Sequence, residues 1–173
     1  MNLLLKRILF IGLLSWFNTA QAQIDTLFWF AAPEVSASVG DNPIYLRFMT
    51  YQNASDVSVS VPANGGFAQV NLTIPANSVD SINLTPFLSS IESPAADVAS
   101  NNGIKITATE NISAFYELKS ATNKEVFSLK GNKSIGQNFY TPFQKFWDNA
   151  VTAPVSFSSI DIVATEDGTT VLI

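Results

Sequence analysis

Residues 57 to 74, VSVSVPANGGFAQVNLTI, decide the class of the fold. Val57, Val59 and Val61 alternate with serines, and Val70, Leu72 and Ile74 alternate with Asn71 and Thr73. Successive side chains on a strand point to opposite faces, so a period of two makes each run a half-buried strand with its aliphatic residues on the core side. The Pro, Asn and Gly residues between the two runs are turn formers. Outward from this stretch the same grammar repeats. Strands are expected at IYLRFMTY, SVDSINL, GIKITAT, ISAFYELKS, EVFSLKG and SIDIVAT, separated by polar clusters such as IPANS and SNNG. Short strands at this spacing predict an all-β protein, an antiparallel β-sandwich-like architecture. TPFLSSIES is the exception, a helical turn with Thr85 as its cap and Pro86 at its first position. Glu92 to Gly103 reads as a loop.

The chain has 173 residues, 47% of them hydrophobic and 12% aromatic, enough apolar surface for a packed core and too much for disorder. Its first 22 residues carry a basic pair, Lys6 and Arg7, an apolar run from Ile8 to Phe17, and the small-x-small site Ala20-Gln21-Ala22. That is the pattern of a secretory signal peptide, and the run is about half the ~20 residues that a membrane-spanning helix needs. Cleavage near Ala22 would make the protein secreted or cell-surface, with no transmembrane segment in the mature chain. Removing Lys6 and Arg7 leaves seven basic residues against fourteen acidic ones, a formal charge of −7. A chain of that sign with scattered lysines has no basic face for nucleic acid. Cysteine is absent, so the exported fold relies on its core alone.

The end of the chain echoes its beginning. Placed without gaps on Leu46–Val59 (LRFMTYQNASDVSV), Ile160–Ile173 (IDIVATEDGTTVLI) matches it in apolar character at the first, third, fourth, twelfth and fourteenth positions. The expected organisation is one β unit over about 23–140, then the start of a related unit from about 158 that the chain cuts short. Ser158–Thr165 and Thr169–Ile173 would form a hairpin around Glu166-Asp167-Gly168, equivalent to Tyr45–Tyr51 and Asp56–Val61 around Asn53.

Four stretches resemble one family, the N-terminal domain of IgGFc-binding proteins, which also occurs in exported proteins of Bacteroidota. They are IDTLFWFAAPEV with Phe28-Trp29-Phe30, NNGIKITATENISAFYEL, FSLKGNKSIGQNFYTPFQ, and IVATEDGTTVLI. Leu27, Ala31 and Asn111 depart from the family's usual residues. The resemblance spans Asp25 to Ile173 and implies a domain longer than this chain. It places no antibody-binding motif on these residues. The signal peptide, the all-β pattern and the resemblance together lead to the expectation of an exported, non-enzymatic binding or adhesion module of a larger bacterial surface protein, with an extracellular protein or glycan as partner. The alternatives are a polysaccharide-binding accessory module of a secreted enzyme and a structural spacer.

Histidine and cysteine are both absent, which removes most zinc sites, thiol nucleophiles and Ser-His relays. No catalytic, cofactor or metal site is expected. Acid chemistry would fall to Glu110 and Glu117 or to Glu166-Asp167, and the latter pair sits in TEDGTT, where Asp-Gly is a turn signal. That loop lacks the spacing and oxygen count of a calcium site. Asn53, Asn71, Asn83, Asn111 and Asn132 each head an Asn-x-Ser/Thr triplet. Asp25-Thr26-Leu27 and Asp80-Ser81-Ile82 resemble O-glycosylation triplets of Bacteroidota. Aromatic residues are the remaining binding resource: Phe28 to Phe30 are expected in the core, and Phe143, Phe146 and Trp147 form the candidate binding surface, on an irregular segment.

Overall fold

The computed structural model describes residues 23–34, 42–93, 97–121, 124–141 and 160–173. Seven strands in these residues join into one antiparallel, nearly closed sheet. They are β1 (Asp25–Phe30), β2 (Ile44–Thr50), β3 (Ser55–Ser60), β4 (Val70–Ile74), β5 (Val79–Asn83), β6 (Ile104–Lys119) and β7 (Lys124–Ser128). The all-β reading of the period-two pattern therefore holds, with Val57 and Val59 of β3 buried and Ser58 and Ser60 on the outer face.

The long strand β6 organises the sheet. Its first half lies between β1 and β3, where Phe28 and Val59 both face Ile106. Its second half lies between β7 and β2, where Phe127 and Leu46 both face Tyr116. β2 and β3 thus run end to end along one side of β6, and β5 and β4 pair with them in turn. The breaks between these collinear strands come at the same level. Seven residues separate Thr50 from Val57, but only four separate their partners Ile112 and Ala108. Likewise six residues lead from Met49 to Ser55, while five separate Val79 from Ile74. Extra residues on one strand of a pair bend it and sharpen its twist, so the whole sheet turns a corner here.

The bend is large. Phe30 pairs with Ile104, twelve positions along β6 from Tyr116, a span of about 40 Å in a straight strand. Yet the Phe30 and Tyr116 rings lie 4.9 Å apart between centroids. The two halves of the sheet face each other, and the apolar positions of both fill the space between them. Ile44, Leu46, Phe48, Ile104, Ile106, Ile112 and Tyr116 are fully buried there. Each such aliphatic or aromatic side chain contributes roughly 1.5–3 kcal/mol relative to exposure.

At the corner the ladder loses register, and side-chain hydroxyls replace the missing backbone partners. Thr50 and Ser55 are both buried at this level. The Thr50 hydroxyl accepts the Ser78 N–H (3.0 Å) and donates to the Pro75 carbonyl (2.5 Å). Ser55 does the same toward β6, accepting the Glu110 N–H (3.1 Å) and donating to the Glu110 carbonyl (3.3 Å). A buried backbone group without a partner costs about 1–3 kcal/mol, which is why polar residues occupy these inward positions.

Several expectations change. GIKITAT and ISAFYELKS form one continuous strand, because the Ser55 hydroxyl satisfies Glu110 at the bend and extended backbone carries through Asn111. Thr85 is not a cap: it is the first residue of a 3-10 turn, Thr85–Phe87, that runs into α1 (Leu88–Ile91), and its hydroxyl instead accepts the Ile44 N–H at 3.0 Å. Tyr45–Val61 is not a hairpin, since β2 and β3 pair with β6 rather than with each other. Residues 160–173 show the expected turn, with Gly168 at φ +74°, but no strand on either side of it. Among the described residues no strand pairs with this segment, and an isolated pair of strands gains too little from pairing to be stable in water. Val163 instead lies so close to Gly103 that a Cβ there would meet its methyl at 2.9 Å, and desolvation raises the Asp161 carboxyl above its ordinary pKa. Residues 1–22, expected to be a signal peptide, lie outside the described residues. Among the described residues no helix is long and apolar enough to cross a membrane.

Candidate binding pocket at the sheet corner

Where inward residues at the corner are hydroxyls, outward ones are amides. The interrupted strands project Tyr51, Gln52 and Asn53 from the β2–β3 break, Asn77 from the β4–β5 break, and Glu110 and Asn111 from the bend of β6. Together they line an open cavity of about 320 Å³. Each arrives there for a local reason. Asn77 has a positive φ of 52°, a left-handed conformation that asparagine tolerates better than most residues, and its N–H bonds to the Tyr51 carbonyl at 2.6 Å. The Tyr51 hydroxyl is held by Ser113 Oγ at 2.7 Å. Asn53 Nδ2 donates to Glu110 Oε2 at 3.1 Å. The side-chain amides of Gln52, Asn77 and Asn111 make no hydrogen bond to another described residue.

A second depression, of about 520 Å³, lies on the outer face of β4, β3 and β6, and its lining extends to Thr109, the residue before Glu110. Its rows follow the strand register: Thr107 beside Ser58 beside Asn71, and Asp56 beside Thr73. Thr73 Oγ1 donates to the Asp56 carboxylate at 2.7 Å, and Thr109 Oγ1 accepts the Asp56 N–H at 2.9 Å. One row further from the corner, Lys105 Nζ sits 5.3 Å from the centroid of the Trp29 ring, a cation–π contact on the same sheet face.

The residues singled out from sequence fall elsewhere. Phe143, Phe146 and Trp147 lie outside the described residues. Of the expected core aromatics, Phe28 is fully buried, while Phe30 and Trp29 are half-buried, Phe30 against Tyr116 and Trp29 under Lys105. Glu117 pairs with Arg47, which also stacks over Tyr45, so it faces a cation rather than a second carboxyl. Glu110 is at the corner with Asn53. Glu166 and Asp167 are exposed in their turn, where Thr169 Oγ1 donates to the Glu166 carbonyl at 2.8 Å. Among the described residues no three acidic side chains gather closely enough to hold a metal ion. The corner pocket escaped sequence reasoning, although its signal was present. QNA, PANS and TEN each interrupt an apolar alternation, and only the pairing of the strands reveals that the three interruptions meet.

Comparison with protein-family models, with curated proteins and with solved structures gives no match for the chain.

Proposed function

We propose that the chain is an exported, non-enzymatic binding or adhesion module of a cell-surface or extracellular protein. The observation that carries this reading is the pair of depressions on the outside of the sheet, whose linings carry amide, hydroxyl and carboxylate side chains. Loops and bends on a β scaffold are where binding residues are held in fixed positions without disturbing the core. The signal-peptide pattern of residues 1–22 supports export, and the resemblance of Asp25–Ile173 to the IgGFc-binding N-terminal domain supports a surface role, in a bacterium of the Bacteroidota. The test pairs processing with adhesion. N-terminal sequencing of the exported protein should begin at Gln23, and cells carrying the gene should adhere to glycan- or protein-coated surfaces more strongly than cells lacking it. A mature chain that keeps Met1, or equal adhesion with and without the gene, would refute the proposal.

A further inference from the structure

Taking the binding role proposed above, we infer that the corner pocket is a subsite for a neutral sugar residue of a glycan chain, which continues onto the adjoining face of β3, β4 and β6. The chemistry of the lining selects the ligand. Four of its six described lining residues are Gln52, Asn53, Asn77 and Asn111, whose amides each present both donors and an acceptor in one plane. Sugar hydroxyls likewise donate and accept, so adjacent hydroxyls match a planar amide in a way that a purely anionic or purely cationic ligand cannot. The Tyr51 ring supplies an apolar surface for the C–H face of a pyranose. Its hydroxyl bond to Ser113 and the Asn53–Glu110 bond fix the cup before any ligand arrives, which reduces the ordering cost of binding.

Other ligand classes fit less well. Among the described residues no lysine or arginine lines the pocket, so phosphate, sulfate or sialic acid would meet Glu110 without a counter-charge. Among the described residues Glu110 is the single carboxylate there, too few for a Ca²⁺ site built on several acidic oxygens. A peptide partner would want an apolar slot for its side chains, and the cup has amides in that place. The volume of about 320 Å³ lies at the lower end for small-molecule sites, which suits one sugar ring rather than a large cofactor. The rows of Thr107, Ser58 and Asn71, and of Asp56 and Thr73, then offer further hydroxyl and amide contacts to the next residues of the chain.

The experiment is a glycan array of neutral gluco-, galacto-, manno- and xylo-oligosaccharides beside sulfated and sialylated ones, followed by NMR titration with the neutral oligosaccharide bound best. Two variants report on the cup without threatening the fold. Asn77→Gly removes an amide at a positive φ that glycine adopts freely, and Gln52→Ala trims an exposed side chain. Binding to at least one neutral oligosaccharide is expected, weakened tenfold or more in each variant at unchanged melting temperature, with shifts at the amides of residues 51–53, 77 and 110–111. Binding confined to sulfated or sialylated glycans, or a blank array, would overturn the inference. So would neutral-glycan binding that both variants leave intact. A blank array from a chain that is exported and still promotes adhesion to a protein-coated surface would remove the sugar subsite while leaving the binding role in place.

Discussion

Replacing Thr50 by valine tests the claim that hydroxyls hold the sheet at its corner. The two side chains have the same shape, so the substitution leaves no cavity and removes only the polar contacts. Those contacts are the Ser78 N–H, accepted at 3.0 Å, and the Pro75 and Ser78 carbonyls, to which the hydroxyl donates at 2.5 and 3.1 Å; the Ser78 carbonyl keeps the Thr50 N–H as a partner. Thr50 itself is 3% exposed, so water does not reach the site through it. A fully buried orphan group costs about 1–3 kcal/mol. Ser78 and Pro75 keep some solvent access, which puts each near the lower end of that range and the sum at about 2 kcal/mol. For a domain of this size that corresponds to a fall in melting temperature of about 4–8 °C. Thr50→Ser is the control, since it keeps the hydroxyl and loses one methyl group, at a cost of about 1 kcal/mol. Urea titration followed by far-UV circular dichroism should lower the midpoint for Thr50→Val more than for Thr50→Ser, with the slope unchanged. If Thr50→Val proved as stable as the parent, or more stable than Thr50→Ser, the hydroxyl would not be satisfying the corner and the account would fail.

Two further outcomes follow from register and packing. Leu84 donates its N–H to Ile44 and Thr50 donates to Ser78, so the even-numbered residues of β5 face β2, while the N–H of Ser81 points away and is bonded by the Asp80 carboxylate. Ser81→Pro should therefore cost no more than about 1 kcal/mol, whereas Asp80→Pro breaks the ladder and should cost at least about 2 kcal/mol more by urea denaturation; equal effects would disprove the register. A Cβ at Gly131 would lie 2.3 Å from the Asp25 Cβ, where Gly131 bridges to Phe28. Gly131→Ala should destabilise the protein by about 1–3 kcal/mol, and Asp25→Gly should recover part of that loss in the double variant, an outcome that thermal melts would check.

The sequence by itself determined the class of the fold and much of the core. Alternation at Val57, Val59 and Val61 places those three residues inside whatever their partners are, because the pleat has a strict period of two. The turn at Glu166-Asp167-Gly168 was equally legible, since the need for a positive φ is met locally by glycine. What only the tertiary structure decided was pairing. Nothing local distinguishes a chain that folds back as a hairpin after Thr50 from one that bends and continues, and the difference lies in whether β6 is there to pair with both β2 and β3. The same long strand makes one element of Ile104–Lys119, where a polar TEN in the middle reads as a break, because Ser55 reaches across from β3 to satisfy Glu110. The corner pocket is a product of that pairing. Gln52, Asn77 and Asn111 belong to three separate interruptions, and they share a cavity only because the sheet bends at one level through all three strands at once.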